Sequence, residues 1–180
     1  MNIPFFDSVA ALAQHRTRFF VPGHKGNPEA LPPFGAVLPY DITEIDGADD
    51  LSCPSGALAQ SQANMAALYG AGATLYSTSG STSCIQAMLT LFVRPGERVV
   101  MLRGCHVSAI RALAFIGAHP VWVLPEKGRA APRAVAEALG QSGAKAVYIT
   151  SPIYEGLLSD IPSLAEVCRQ IGRASCRERV

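Results

Sequence analysis

From Tyr76 to Ser83 the chain reads Tyr-Ser-Thr-Ser-Gly-Ser-Thr-Ser, placing six serine and threonine hydroxyls within eight residues around Gly80. Hydroxyls donate hydrogen bonds, and glycine lets the backbone approach a ligand closely. The flanks add a second anion-binding feature. Residues 73–76 read as the end of a short strand and 84–92 as a mostly buried helix, so the hydroxyls fall at a strand-to-helix turn. A helix start there offers unpaired backbone N–H groups and the positive end of the helix dipole, which suits a phosphate. One or two hydroxyls would already serve as an ordinary helix cap. On the residues alone, both the cap and the phosphate cradle stay open.

Two other polar segments stand out in a stretch punctuated by Pro22, Gly23, Gly26, Pro28, Pro32, Pro33, Gly35 and Pro39. Residues 20–27 read Phe-Val-Pro-Gly-His-Lys-Gly-Asn, and 41–51 read Asp-Ile-Thr-Glu-Ile-Asp-Gly-Ala-Asp-Asp-Leu. Alternate positions from Asp41 are Thr43 and Ile45, which rules out an EF-hand calcium loop. Gly-His-Lys-Gly lacks the glycine spacing and the Ser or Thr after lysine that a Walker A loop requires. A solvated loop and a site lining remain open for both segments. Cys53, Cys84, Cys105, Cys168 and Cys176 are odd in number and lack C-x-x-C spacing, so they read as free thiols, with neither a disulfide framework nor a metal site.

These residues need a scaffold, and the hydrophobic pattern supplies one. Residues 1–55 read as an N-terminal extended arm with a short helix over 10–19, and 56–170 as a domain opened by an alanine-rich helix over 60–69. The chain then alternates: strand 98–102, helix 107–116, strand 120–124, helix 133–140, strand 145–150 and a helix over 161–170. Strands that are apolar throughout, alternating with helices, indicate a parallel sheet covered on both faces, with ligands bound beyond the carboxyl ends of its strands. Residues 78–83, 103–108, 125–128 and 151–156 all fall on that edge, which makes His106, Ser108 and Tyr154 candidates for one pocket. His15 and His119 read as surface residues. At 180 residues, 49% hydrophobic and 16% charged, the chain has the composition of a globular protein. A net charge of +1 gives no reason to expect nucleic acid as a partner, and the absence of a long apolar run or a basic leader predicts a cytoplasmic protein without a membrane partner.

In order along the chain stand Pro22-Gly-His-Lys-Gly26, Asp41-x-Thr-Glu-x-x-Gly-x-Asp-Asp-Leu51, Gly80-Ser-Thr82, Cys105-His106-x-Ser108 and Pro152-x-Tyr-x-Gly156. Together these resemble the pyridoxal-phosphate-dependent ornithine/lysine/arginine decarboxylases, over residues 19 to 170. The resemblance implies a three-layer α/β/α aminotransferase-like major domain with a mostly parallel sheet, here incomplete. It implies that pyridoxal 5'-phosphate is held at its phosphate by Ser79, Gly80, Ser81 and Thr82, and that His106 stacks on its ring. His24 and Lys25, with Tyr154, become candidates for the substrate side. The implied parent is a homodimer or higher homo-oligomer that decarboxylates arginine, lysine or ornithine to polyamine-pathway amines and carbon dioxide. Rival readings are transamination or aldol cleavage on the same fold, and a non-catalytic phosphate- or cofactor-binding module.

The chain departs from the family's pattern in two places. Val107 stands where the family usually carries a lysine after the stacking histidine. The family's Asp-x-Ala-His segment and its Ser-x-His-Lys segment, with the cofactor-carrying lysine, are absent, and the lysines present are Lys25, Lys127 and Lys145. Residues 171–180 back-translate without mismatch as a common sequencing-library adapter and read as a non-native tail, so the chain is expected to be the N-terminal fragment of a longer enzyme, itself inactive. The family's strand order, 3-2-4-5-6-7-1, then predicts three consequences. Residues 74–77, as its first strand, lack a neighbour; the edge of strand 145–150 is unpaired; and Ile85, Met88, Leu89 and Phe92 are exposed, leaving a fragment prone to aggregate.

Overall fold

The computed structural model describes residues 2–15, 17–170, 172 and 174–178, the last five by their backbone alone. The chain divides into two compact units, Met1–Tyr76 and Ser77–Val180.

In the first unit, Pro4 opens helix α1 (Pro4–His15), with Asp7 in its first turn and His15 in its last, the charge order that suits the helix dipole. The helix therefore lies nearer the N-terminus than residues 10–19. It packs against α2 (Ala57–Tyr69). The arm between them is not extended: three short 3-10 turns, Pro28–Ala30, Pro32–Phe34 and Leu38–Tyr40, follow one another, each with proline in its first positions. Proline's fixed φ suits a 3-10 turn as well as an extended chain. Phe6 stacks on Tyr40 at 6.5 Å between ring centroids, and the Ser8 hydroxyl donates to the Gly47 carbonyl, which draws the acidic segment onto α1.

The second unit begins with α3 (Gly80–Phe92) and then alternates: β1 (Arg98–Leu102), α4 (Val107–Ile116), β2 (His119–Val123), α5 (Pro132–Ser142), β3 (Ala146–Thr150), α6 (Ile161–Gln170) and β4 (Ala174–Glu178). The strands run in the order β2-β1-β3-β4, all neighbours parallel. Pro120, which cannot donate to a ladder, sits on the edge strand β2. Because side chains alternate along a strand, Val99, Met101, Ala146 and Tyr148 face one way and pack with Ile85, Leu89, Ala109, Ala112 and Leu113 of α3 and α4. Val100, Leu102, Val147 and Ile149 face the other way and pack with Val135 and Leu139 of α5 and Leu164 and Cys168 of α6. The result is three layers, α/β/α. The connection from β1 to β2 and the return past β1 to β3 run in opposite directions, and right-handed crossovers then place α4 and α5 on opposite faces. Among the described cysteines Cys53, Cys84, Cys105 and Cys168 form no disulfide, and burial pushes the Cys168 thiol up.

Three expectations are corrected. Residues 74–77 form no strand, since no neighbour in the sheet offers them a ladder; Tyr76 instead anchors this segment by its hydroxyl to Ser61 of α2, at 2.9 Å from Oγ and 3.2 Å from the carbonyl. The edge of β3 is not open, because β4 pairs with it from Ala146↔Ala174 to Thr150↔Glu178. Ile85 and Leu89 are buried and Met88 packs against the same core, because α3 lies on the sheet; Phe92 alone of the four is largely exposed. The tail assigned to 171–180 lies outside the described residues at Ile171, Arg173, Arg179 and Val180.

Candidate functional site

The carboxyl edge of the sheet is where this topology leaves room. β1 and β3 are neighbours whose connections leave in opposite directions, so their carboxyl ends flank a crevice. α4 starts directly after β1, which puts its N-terminus at that edge. α3 joins β1 through the turn at 93–97 and packs beside α4, so it runs antiparallel to the strand. At 1.5 Å per residue its 13 residues span about 20 Å, enough to carry its N-terminus back to the same edge.

The hydroxyls at this terminus fall into two groups. Ser77 and Ser83 close the turn: their Oγ atoms lie 2.9 Å apart, the Ser79 N–H donates to Ser77 Oγ (3.3 Å), and Ser83 Oγ donates to the Gly80 carbonyl (2.9 Å). Thr78, Ser79, Ser81 and Thr82 are exposed, and their hydroxyls have no protein partner among the described residues. No side chain caps α3, so the N–H groups of Gly80, Ser81 and Thr82 lack intrahelical and side-chain partners. Gly80 has φ +71°, and a Cβ built on it would meet nothing within 4 Å. Glycine is there for the left-handed turn, and the space in front of the helix is open. Donors from backbone and side chain thus surround the positive end of a helix dipole, a donor set that fits a phosphate.

His106 is the N-cap of α4, in extended conformation at φ −62° and ψ 147°. The Ser108 N–H donates to its Nδ1 (3.2 Å), and the Ser108 hydroxyl lies 2.7 Å from the same nitrogen. The ring stays exposed at the edge, and Nε2 has no partner among the described residues. Tyr154, in the turn after β3, is 99% exposed. Sequence reasoning passed over Arg103, which follows β1 and holds its guanidinium 5.7 Å from the Trp122 ring. The signal was its position at the end of a strand, which carries no chemistry until the strand order is known.

His24 and Lys25 belong to the first unit and are engaged within it. The Gly26 N–H donates to His24 Nδ1 (3.0 Å), leaving Nε2 to donate to the Asp41 carboxylate at 3.1 Å, so this histidine ties the two polar segments together. The Lys25 ammonium donates to the Phe20 carbonyl. Most of the carboxylates from 41 to 51 serve the chain itself. Asp49 accepts N–H groups from Ser55 (2.9 Å), Asp50 (2.9 Å), Gly56 (2.8 Å), Leu58 (2.9 Å) and Ala59 (3.3 Å), and so caps α2 from eight residues before its start. The Ser55 bond foremost, with those of Asp50, Gly56 and Leu58, holds its carboxyl far below the ordinary range. The Ser52 hydroxyl lowers Asp50, and the Thr43 hydroxyl lowers Glu44. A cavity of about 460 Å³ opens beside Glu44, Asp46, Asp49 and Asp50.

A parallel α/β/α sheet of this kind is shared with the aminotransferase-like class. An aspartate aminotransferase from Thermus thermophilus superposes with a TM-score of 0.51, at 19% identity over 56% of this chain and 28% of that one. The constitutive lysine decarboxylase of E. coli superposes with a TM-score of 0.73, at 18% identity over 92% of this chain and 27% of its own length, which establishes the fold. The profile of the Orn/Lys/Arg decarboxylase major domain matches residues 3–171, and the chain belongs to that family. An arginine decarboxylase of Halalkalibacterium halodurans is 31% identical over 179 residues, covering 92% of this chain and 36% of that protein. The chain therefore spans little more than a third of that relative's length.

Proposed function

We propose that this chain forms the phosphate-holding side of a pyridoxal 5'-phosphate-dependent decarboxylase of basic amino acids. One observation carries the reading: unengaged hydroxyls, those of Ser79, Ser81 and Thr82 among them, surround the uncapped N-terminus of α3, on the same sheet edge as the His106 ring. Bound there, the cofactor supplies an electron sink for the charge left when a substrate carboxylate departs as carbon dioxide. The N–H groups of Gly80, Ser81 and Thr82 and the hydroxyls of Ser79, Ser81 and Thr82 would hold the phosphate and offset its charge. The His106 ring would cover one face of the pyridine, and Tyr154 remains a candidate for the substrate side. A basic amino acid as substrate is supported by family membership and by the arginine decarboxylase relative. The parent acts as a homo-oligomer in the cytoplasm.

The test is an NMR titration of the labelled chain with pyridoxal phosphate and, separately, inorganic phosphate. Both ligands should move the amides of Gly80, Ser81 and Thr82, and Ser81→Ala should weaken binding roughly tenfold, the worth of one hydrogen bond to a charged group. Perturbations confined to other residues would refute the phosphate assignment.

A further inference from the structure

We propose that Ser108 is a positioning residue that decides which nitrogen of His106 carries the proton and holds the ring at the sheet edge, an inference that builds on the role given to His106 above. Two donors converge on one lone pair. The Ser108 peptide N–H lies 3.2 Å from His106 Nδ1, and the Ser108 hydroxyl lies 2.7 Å from it. A peptide N–H can only donate, so this contact requires an unprotonated Nδ1 and sends the ring proton to Nε2. The hydroxyl makes the shorter contact and, at 2% exposure, has no bulk water to turn to. Moving the proton to Nδ1 would set N–H against N–H at the cap, and rotating the ring away would strip a buried hydroxyl of this partner.

The consequence for the site is a ring whose Nε2–H points away from α4. Val107, exposed beside His106 in the first turn of α4, brings no charge or hydrogen bond that could compete for the ring. Ser108 touches neither cofactor nor substrate in this scheme and acts through His106 alone.

Long-range proton–nitrogen NMR spectra of the labelled chain read the tautomer of each imidazole, and His106→Gln assigns the signal among His15, His24, His106 and His119. In the unmodified chain His106 should show an unprotonated Nδ1 and a protonated Nε2. Ser108→Ala should lower the ratio of Nε2–H to Nδ1–H forms about fivefold, the worth of one hydrogen bond. Ser108→Thr, which keeps the hydroxyl, should restore it. A purely structural serine would leave the ratio unchanged in Ser108→Ala, and that result overturns the proposal. Should Ser108→Ala not fold, the unmodified chain still decides: a proton on Nδ1 overturns the proposal outright. The readout needs no cofactor, so failure of Gly80, Ser81 and Thr82 to respond to pyridoxal phosphate would sink the functional reading and leave this one standing.

Discussion

Leu89→Ala probes whether α3, which carries the phosphate loop, is fixed by its packing on the sheet. Leu89 is fully buried, in a cluster with Val99, Met101, Ala112 and Tyr148. Truncation removes the three outer carbons of the side chain, worth about 2.4 kcal/mol at about 0.8 kcal/mol per buried carbon. The cavity left between helix and sheet raises the cost to about 3–4 kcal/mol, since such sites collapse only partly. Against a domain stability of about 5–15 kcal/mol, that is a loss of more than about a hundredfold in the folding equilibrium. Leu91, on the same helix and 79% exposed, supplies the control: Leu91→Ala should stay within about 0.5 kcal/mol. The chain's single tryptophan, Trp122, lies on β2 and reports on this unit, so urea unfolding followed by its fluorescence measures both variants. With a slope of about 1.5 kcal/mol/M, Leu89→Ala should lower the midpoint by about 2 M and Leu91→Ala by little. Equal shifts in the two variants would refute the packing of α3 and, with it, the placement of the loop.

Asp49, depressed in the folded chain by backbone N–H bonds, stabilises its unit above the ordinary value of 3.8 and loses that contribution as pH falls through the lower folded value. Asp49→Asn should therefore destabilise α2 at neutral pH and flatten the acid limb of unfolding, read by amide exchange at Leu58 and Ala59; an unchanged limb would contradict the cap. Gly80→Ala should cost about 1 kcal/mol through its left-handed backbone and weaken phosphate binding, measurable by denaturation and by the titration described above. In a complete enzyme, His106→Ala should lower both cofactor retention and turnover, whereas Ser81→Ala should act mainly on retention, because a phosphate bond contributes similarly in ground and transition states. Wild-type retention and turnover in His106→Ala would remove the stacking role. The 180-residue chain by itself should release no carbon dioxide from arginine, lysine or ornithine; turnover, with Lys25, Lys127 or Lys145 labelled after borohydride reduction, would show otherwise.

Local chemistry made much of this protein legible in its sequence. The apolar run 98–102 and the patterns over 107–116 and 161–170 coincide with β1, α4 and α6, because burial on both faces or on one stripe writes itself into residue spacing. The same logic located the hydroxyl turn and placed His106 at a helix start on the carboxyl edge. Motifs distributed along the chain indicated the family, and with it the order in which the three expected strands pair. Other features depend on how the chain folds back on itself, near or far in sequence, and these the tertiary structure decided. Residues 74–77 have strand composition but no neighbouring ladder, so they form none. The stretch 174–178 lacks an apolar pattern and pairs through its backbone with β3. Asp49 reads as one more acid in a polar loop until the fold brings five N–H groups to it. Six similar hydroxyls around one glycine gave no means of separating Ser77 and Ser83, which close the turn, from Thr78, Ser79, Ser81 and Thr82, which stay free. That division follows from backbone geometry at Gly80, because a hydrogen bond depends on direction and distance as well as on the presence of a donor.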